Sequence, residues 1–183
     1  MLVQNLLVKL SMQRIRRCAA LVVCLLLSAC ATMPSDPALL LDGDDDEAGA
    51  RALETFLRDA GQPVEASSDG FGVFVYQRGM ATLLSPVLQT DGLDRIVATR
   101  IYGPAMGHGE EDLIHLAAAL NDQLNVGVFA VDQGALVFQS HTTFIDRLTE
   151  TELLAFMAWL DQAELAIARV DAASGTLLLT TAR

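Results

Sequence analysis

Cysteine and lysine are missing from almost the whole of this 183-residue chain. The three cysteines, Cys18, Cys24 and Cys30, all lie in the first 30 residues, and the one lysine is Lys9. Downstream of Cys30 the chain therefore has no thiol for a disulfide, a zinc site or a nucleophile. The stability of that part must come from packing alone.

Basic residues are scarce as well, with 12 Lys and Arg against 23 Asp and Glu and a formal net charge of −11. Four basic residues and no acidic residue lie before Cys30, so residues 30–183 hold eight basic and 23 acidic residues, a formal charge of −15. Nucleic acid is a poor partner for such a chain, because neutralising phosphates needs clustered Arg and Lys, and we expect none to bind. Anionic lipid headgroups would also repel this part, so membrane attachment would depend on acyl chains.

The start of the chain resembles the signal peptide of a bacterial lipoprotein. A segment with Arg14, Arg16 and Arg17 precedes a short apolar run, which ends in Leu27-Ser28-Ala29-Cys30. The resemblance implies that Leu27, Ser28 and Ala29 are recognised by the signal peptidase and that Cys30 carries the lipid. An uncleaved anchor would need about 20 apolar residues, and the run from residue 18 to residue 30 is shorter. Translation from Met1 or from Met12 is compatible with this interpretation.

This interpretation divides the chain into three parts. Residues 1–29 are the signal peptide, residues 30–47 are the lipidated cysteine with an acidic flexible tether, and residues 48–183 form a single domain. The acidic run 42–47 lacks the ligand pattern of an EF-hand and is expected to be a solvated spacer that favours the start of the next helix. Ala31, which follows Cys30, is not the aspartate associated with inner-membrane retention, so we expect the periplasmic face of the outer membrane.

Residue spacing predicts three helices after the tether. In each helix, apolar residues recur at intervals of three and four, which places them on one face. Gly61 ends the first helix, and Glu110 opens the second. A capping box formed by Thr149 and Glu152 begins the third helix, which runs toward Ala166. The stripes are Leu53, Phe56, Leu57 and Ala60 in the first helix, Leu113, Leu116, Ala117 and Leu120 in the second, and Leu153, Phe156, Met157 and Leu160 in the third.

Strands are predicted where β-branched and aromatic residues lie between turns. Pro86 is expected to weaken or end one of them. The tail 170–182 could add a last strand through residues 176–180, or could be partly loose. The order helix, three or four strands, helix, hairpin, helix predicts an α+β domain with three helices and a mostly antiparallel sheet. The strand ranges are Val64–Ala66, Phe71–Tyr76, Ala81–Leu88 and Arg95–Tyr102, and the hairpin is formed by Val126–Val131 and Ala135–Thr142.

The central part of this domain resembles the YbjN-type domain, a bacterial family with a fold like that of type III secretion chaperones. The residues that carry the resemblance are 112–121, 125–132, 134–140 and the helix start 148–153, with the upstream strand 70–74. The resemblance implies a non-enzymatic role in binding or regulation and brings no catalytic residue and no cofactor. It also implies the α+β fold that the element order predicts.

Histidine chemistry is the main alternative in this sequence. A metal site wants two or three converging ligands, whereas His108, His115 and His141 are spread over a predicted loop, a helix and a strand. Ser140 and His141 are neighbours in a strand and point to opposite faces, so they do not form a nucleophile and base pair. We therefore expect no metal site and no catalytic residue.

Two further features have a structural and a functional interpretation. Asn121 and Asn125 bracket the end of the second helix, where asparagine commonly satisfies backbone groups and could otherwise bind a ligand. The third helix is apolar almost all round, which indicates either a broad core or a surface that meets a partner. Leu154 and Trp159 are the candidate partner surface on it.

We expect from these observations a membrane-tethered lipoprotein that is not an enzyme. It would act in the cell envelope as a protein-binding, regulatory or chaperone-like module, through an envelope protein or through self-association. Its other partner would be membrane lipid, through acylated Cys30, and it would need no cofactor. The alternative is a small-ligand binder or metal-dependent enzyme that uses a pocket between the sheet and the helices.

Overall fold

A computed structural model describes residues 36–41, 45–89, 93–145 and 147–178. The elements in these ranges follow one another as the sequence predicts, with two additional short strands. In chain order they are β1 (Ala38–Leu40), α1 (Asp46–Asp59), β2 (Val64–Ala66), β3 (Val73–Gln77), β4 (Met80–Val87), β5 (Asp94–Tyr102), α2 (Glu110–Gln123), β6 (Val128–Asp132), β7 (Ala135–Phe144), β8 (Arg147–Thr149) and α3 (Glu150–Ser174).

Six of the strands form one antiparallel sheet in the order β2-β3-β4-β5-β7-β6. Neighbouring hairpin strands β2 to β5 are followed by β7, and β6 lies outside β7 at the edge. The helix α2 connects β5 to β6, which is why β6 reaches the far edge before the chain returns through β7. The predicted α+β class with a mostly antiparallel sheet is confirmed.

Pro86 lies within β4, opposite Ile96 of β5, rather than at its end. Proline lacks the N–H that a strand with two neighbours needs. The pairing of β3 with β4 reaches only as far as Leu84, so β4 has a single neighbour where Pro86 occurs. The strand therefore continues through the proline at no loss of a ladder hydrogen bond on the β3 side.

The compact unit of the chain begins at Pro37, inside the range that we expected to be a tether. Strand β1 pairs antiparallel with β8, and the carbonyl of Pro37 accepts a hydrogen bond from the N–H of Glu150 at 2.8 Å. Leu39 and Leu41 are buried, so this stretch belongs to the core because its leucines bury apolar surface there. Leu27, Ser28, Ala29 and Cys30 lie outside the described residues.

The acidic run acts at the start of α1. Asp45 is the N-cap, and its carboxylate accepts hydrogen bonds from the N–H groups of Glu47 and Ala48, both at 3.0 Å. Asp46 and Glu47 lie in the first turn, where the helix dipole favours negative charge. The expectation that the acidic residues favour the start of this helix is confirmed for residues 45–47.

The third helix is longer than predicted and includes the first residues of the tail. The capping box is present, since Glu152 N–H donates to the Thr149 hydroxyl at 3.2 Å and Thr149 N–H donates to the Glu152 carboxylate at 2.9 Å. The helix continues through residue 174 and ends at Gly175, whose φ is 112°. Residues 170–174 are therefore helical, and Leu178 forms only an isolated bridge with Pro104. Residues 179 and 180 of the predicted last strand lie outside the described residues.

The core lies between one face of the six-stranded sheet and the three helices. The predicted stripes of α1 and α2 are buried at Leu53 and Leu57 and at Leu113, Leu116, Ala117 and Leu120. In α3 the buried residues continue through Val170. No helix in the described ranges is long and apolar enough to cross a membrane.

Candidate functional site

The second face of the six-stranded sheet is exposed and rich in apolar side chains. Antiparallel sheets with one buried face usually alternate apolar and polar residues along each strand. In β5 the residues at even positions from 94 to 102 are buried, yet Val97 and Ile101 stand on the other side. We call this second side the open face; its apolar members are Phe74, Tyr76, Leu83, Val97, Ile101, Val128 and Val137.

Exposure at the open face is high for side chains on paired strands. Ile101 is 65% exposed, Val128 is 64% exposed and Tyr76 is 45% exposed. Ile101 pairs with Val137 of β7, so its side chain is exposed although its strand is paired at this position. In the described part of the chain nothing covers these side chains.

Polar groups also lie on the open face. Glu65 lies on the edge strand β2, and its carboxylate accepts a hydrogen bond from the Tyr76 hydroxyl at 3.0 Å, which raises the pKa of Tyr76. Arg95 lies near the start of β5, and within the face Gln139 of β7 donates to the Thr99 hydroxyl of β5 at 3.3 Å. Protein–protein interfaces combine apolar and polar side chains, and contiguous exposed apolar surface on a monomer commonly marks an interaction site.

The sequence contained a weak indication of the open face that we did not use. Strands β3, β4, β5 and β7 carry apolar residues at both alternating positions, for example Ala98 next to Val97. Such strands are typical of sheets covered on both sides. The pattern therefore predicts a second covering layer, which the described part of this chain does not supply.

The two residues of the predicted partner surface on α3, Leu154 and Trp159, lie in different environments. Trp159 is 39% exposed and stacks on Phe156, with ring centroids 6.1 Å apart and an interplanar angle of 15°. Leu154 is half-buried and packs against the core. Of these two residues Trp159 therefore lies on the solvent side, where Leu165 joins it at 43% exposure.

A buried arginine links the sheet to α3. The Arg100 side chain is 1% exposed; its Nε donates to the Thr82 hydroxyl at 2.8 Å and its Nη1 to the Leu160 carbonyl at 3.1 Å. Asp161 and Glu164 lie 3.5 Å and 3.4 Å from its two terminal nitrogens. A buried charge requires such partners, and this network fixes the position of α3 over β5. Alternation puts Arg100 on the same side of β5 as Ile96 and Ala98, but the sequence gave no indication of its partners.

Tyr102 extends the same network. Its hydroxyl donates to the Glu164 carboxylate at 2.6 Å, and the residue is 5% exposed. Burial, followed by the negative charge of Glu164, holds the pKa of Tyr102 far above its usual range. The phenol is therefore a neutral hydrogen-bond donor here, which is a structural role.

The three histidines are not brought together. His108 lies before α2 with its Nδ1 3.2 Å from the Asp112 carboxylate, and His115 is exposed on α2. The Gly109 N–H and then His108 lower the pKa of Asp112 by hydrogen bonding. His141 lies on the open face, on the other side of the sheet from α2. In the described ranges no three His, Cys, Asp or Glu side chains form a group that could hold a metal ion.

Ser140 and His141 point to opposite faces of β7, as predicted. Ser140 is buried at 8% exposure, and His141 is exposed. A depression of about 470 Å³ lies near the end of this strand, where Thr142, Phe144 and the start of α3 meet. None of the three histidines lines this depression.

Asn121 binds the backbone of the edge strand β6. Its side-chain Nδ2 donates to the Phe129 carbonyl at 2.8 Å, and its Oδ1 accepts from the Phe129 N–H at 3.0 Å. The predicted role of this asparagine in satisfying backbone groups is confirmed, although the groups belong to β6 and not to the helix end. Asn125 lies in the connection between α2 and β6 and is exposed.

Comparison with known proteins finds a likeness among solved structures. No protein-family model matches the chain, and no curated protein matches it. Among solved structures the chain is similar to YbjN from E. coli, described as a candidate transcription regulator, with 17% sequence identity and a TM-score of 0.45. The alignment covers 71% of this chain and 95% of YbjN. Similarity at this level is compatible with the resemblance in the sequence and carries no conclusion about function.

Proposed function

We propose that this chain is a membrane-tethered lipoprotein whose α+β domain binds a protein partner through the open face of its sheet. The observation that carries the proposal is the exposure of apolar side chains on paired strands, above all Ile101 and Val128. Burying such side chains contributes about 25 cal/mol for each Å² of apolar area removed from water. A partner that completes the missing layer would therefore gain affinity from side chains that the chain already presents.

The binding role is favoured over an enzymatic one by what the site contains. The open face offers apolar side chains interspersed with polar ones, which suits a protein surface. The titratable groups named on it, Glu65, Arg95 and His141, lie on three different strands, β2, β5 and β7. The function proposed is thus non-enzymatic binding, regulation or chaperone-like protection of a partner.

The tether in this proposal rests on the sequence Leu27-Ser28-Ala29-Cys30. Cleavage before Cys30 and acylation of its thiol would confine the domain to the membrane surface, and two or more acyl chains bind membranes stably. Mass spectrometry of the purified protein tests this step. The expected result is an N-terminal acylated Cys30 that is lost in Cys30→Ser; an intact residue 1–29 segment in the mature protein would overturn it.

Binding through the open face is tested by in-cell crosslinking followed by affinity capture and mass spectrometry. Ile101→Glu places a charge among the exposed apolar side chains of the open face and should abolish the crosslink to the partner. The matched control is Ile114→Glu on α2, because Ile114 is also an exposed isoleucine, at 52%. A partner that is crosslinked equally by both variants, or no partner with either the wild type or Cys30→Ser, would refute this assignment.

A further inference from the structure

The outer face of α3 is unusual for a helix surface that meets water. We define this face by Ala155, Ala158, Trp159, Gln162, Leu165, Ala166 and Arg169, which follow one another at helical spacing on the side away from the buried stripe. Exposed helix surfaces are normally charged. This one carries no carboxylate, although the chain has 23 acidic residues. Its two large apolar side chains are both partly exposed, Trp159 at 39% and Leu165 at 43%.

The outer face is also symmetric about Gln162. Trp159 and Leu165 lie three residues before and after Gln162, and Ala158 and Ala166 lie four residues before and after it. A twofold interface requires such a self-complementary surface, because each residue meets its mirror position on the other copy. We propose that the outer face of α3 pairs with the same face of a second copy of this chain, as antiparallel helices centred on Gln162.

Apolar contacts in this pair join large side chains to small ones. At a rise of 1.5 Å for each residue, Trp159 of one copy lies at the level of Leu165 and next to the level of Ala166 on the other. Alanines allow two helices to approach closely, so the Trp159 ring can lie over the partner's Ala166 and Leu165 over its Ala158. The two Gln162 amides meet at the axis, where paired polar side chains set the register of a helix pair.

Charge favours the antiparallel direction. Arg169 of one copy lies at the level of Ala155 of the other, about 4.5 Å along the axis from the level of Glu152. Its side chain extends there toward an acidic first turn, which contains Glu150 and Glu152. In a parallel pair Arg169 would instead meet Arg169, and like charges would repel. Residues 30–183 carry a formal charge of −15, so acidic surfaces of two copies repel each other, and a surface without carboxylates avoids this repulsion.

Disulfide crosslinking tests the register directly. In the full chain with Cys18→Ala, Cys24→Ala and Cys30→Ser, purified in a mild detergent, Gln162→Cys provides a single thiol. The two thiols would meet at the twofold axis, within the Cα separation of about 7 Å that a disulfide allows. The matched control is Ala172→Cys on the exposed side of the same helix; ten residues from the axis, its two copies would be about 30 Å apart.

We expect mild oxidation to convert Gln162→Cys to a covalent dimer several-fold more completely than Ala172→Cys. Adding Trp159→Ala to Gln162→Cys should lower the yield of this covalent dimer. Sedimentation of Trp159→Ala with native cysteines should show a shift toward monomer. Equal crosslinking of the two cysteine variants, or no dimer with either while circular dichroism shows native structure, would overturn the proposal. Because Ile101 lies on the other side of the sheet, loss of partner capture in Ile101→Glu and loss of the dimer are separate outcomes.

Discussion

Asn121→Ala should lower the free energy of unfolding, because Asn121 of α2 binds the backbone of strand β6. The Asn121 carboxamide forms two hydrogen bonds with Phe129, one to its N–H and one to its carbonyl. Phe129 also pairs with Phe138 of β7, and their rings stack with centroids 4.8 Å apart. The outward backbone groups of Phe129 are therefore bound by a side chain where an edge strand would otherwise leave them open.

The size of the effect follows from three contributions. Each hydrogen bond is worth about 0.5–1.5 kcal/mol net, which gives about 1–3 kcal/mol for the pair. After truncation, water can hydrogen-bond to the exposed backbone groups of Phe129, which offsets part of this loss. Alanine is a better helix former than asparagine by up to about 0.7 kcal/mol, and position 121 lies inside α2. We expect a net loss of about 1 kcal/mol.

Urea denaturation measures this loss, and amide hydrogen exchange at Phe129 locates it. Asn125→Ala is the matched control, because Asn125 is an exposed asparagine beyond the end of α2. Asn121→Asp keeps an acceptor for the Phe129 N–H but places a carboxylate against the Phe129 carbonyl, so it should lose at least as much as Asn121→Ala. If exchange at Phe129 were as slow in Asn121→Ala as in the wild type, the assigned role of Asn121 would be wrong.

Two other substitutions test the network and the turn before β6. Because the raised pKa of Tyr102 favours the neutral phenol in the folded state, stability should fall above about pH 10. The free energy of unfolding should fall by about 1.4 kcal/mol for each pH unit in that range. Tyr102→Phe should lack this component when urea denaturation midpoints are compared from neutral to alkaline pH. An unchanged alkaline slope in Tyr102→Phe would contradict this reasoning. In Gly127→Ala the new Cβ would overlap the Gln139 carbonyl, at a φ of 156°. Thermal denaturation should show a larger loss than in Gly134→Ala, where φ is 75° and the space is open, and an equal loss in both would contradict this reasoning.

Local patterns predicted most of the elements because each had a physical marker. The Thr149 and Glu152 capping box gave the start of α3, and the periodic apolar residues gave the buried stripes of α1 and α2. The expectation that Pro86 weakens or ends its strand was wrong, because the pairing of β4 with its neighbours decides where a proline is tolerated. A proline is tolerated in β4 beyond Leu84, whose partner Val73 is the first residue of β3, and the start of β3 is not visible in the residues around position 86.

The candidate site was less predictable because it depends on which faces find a covering layer. Alternation divided β5 into two sides correctly, and the side with Arg100 faces the core. The other side, with Ile101, is as apolar as many buried strands, so its exposure follows only from the placement of the helices. Leu154 and Trp159 likewise looked equivalent on an apolar helix. Leu154 packs against the core whereas Trp159 reaches solvent, because α3 presents a broad buried stripe.

The two proposed surfaces are compatible because they belong to opposite layers of the domain. The core lies between the sheet and α3, which Arg100 joins to the sheet through the Leu160 carbonyl. A pair formed through the outer faces of α3 would consequently leave both open faces pointing away from the dimer interface. Two open faces on one dimer can engage two sites of a partner assembly, and a membrane tether would raise the effective concentration of that second contact. Asn121 supports this arrangement, since it occupies the backbone groups through which the β6 edge would otherwise pair with another strand.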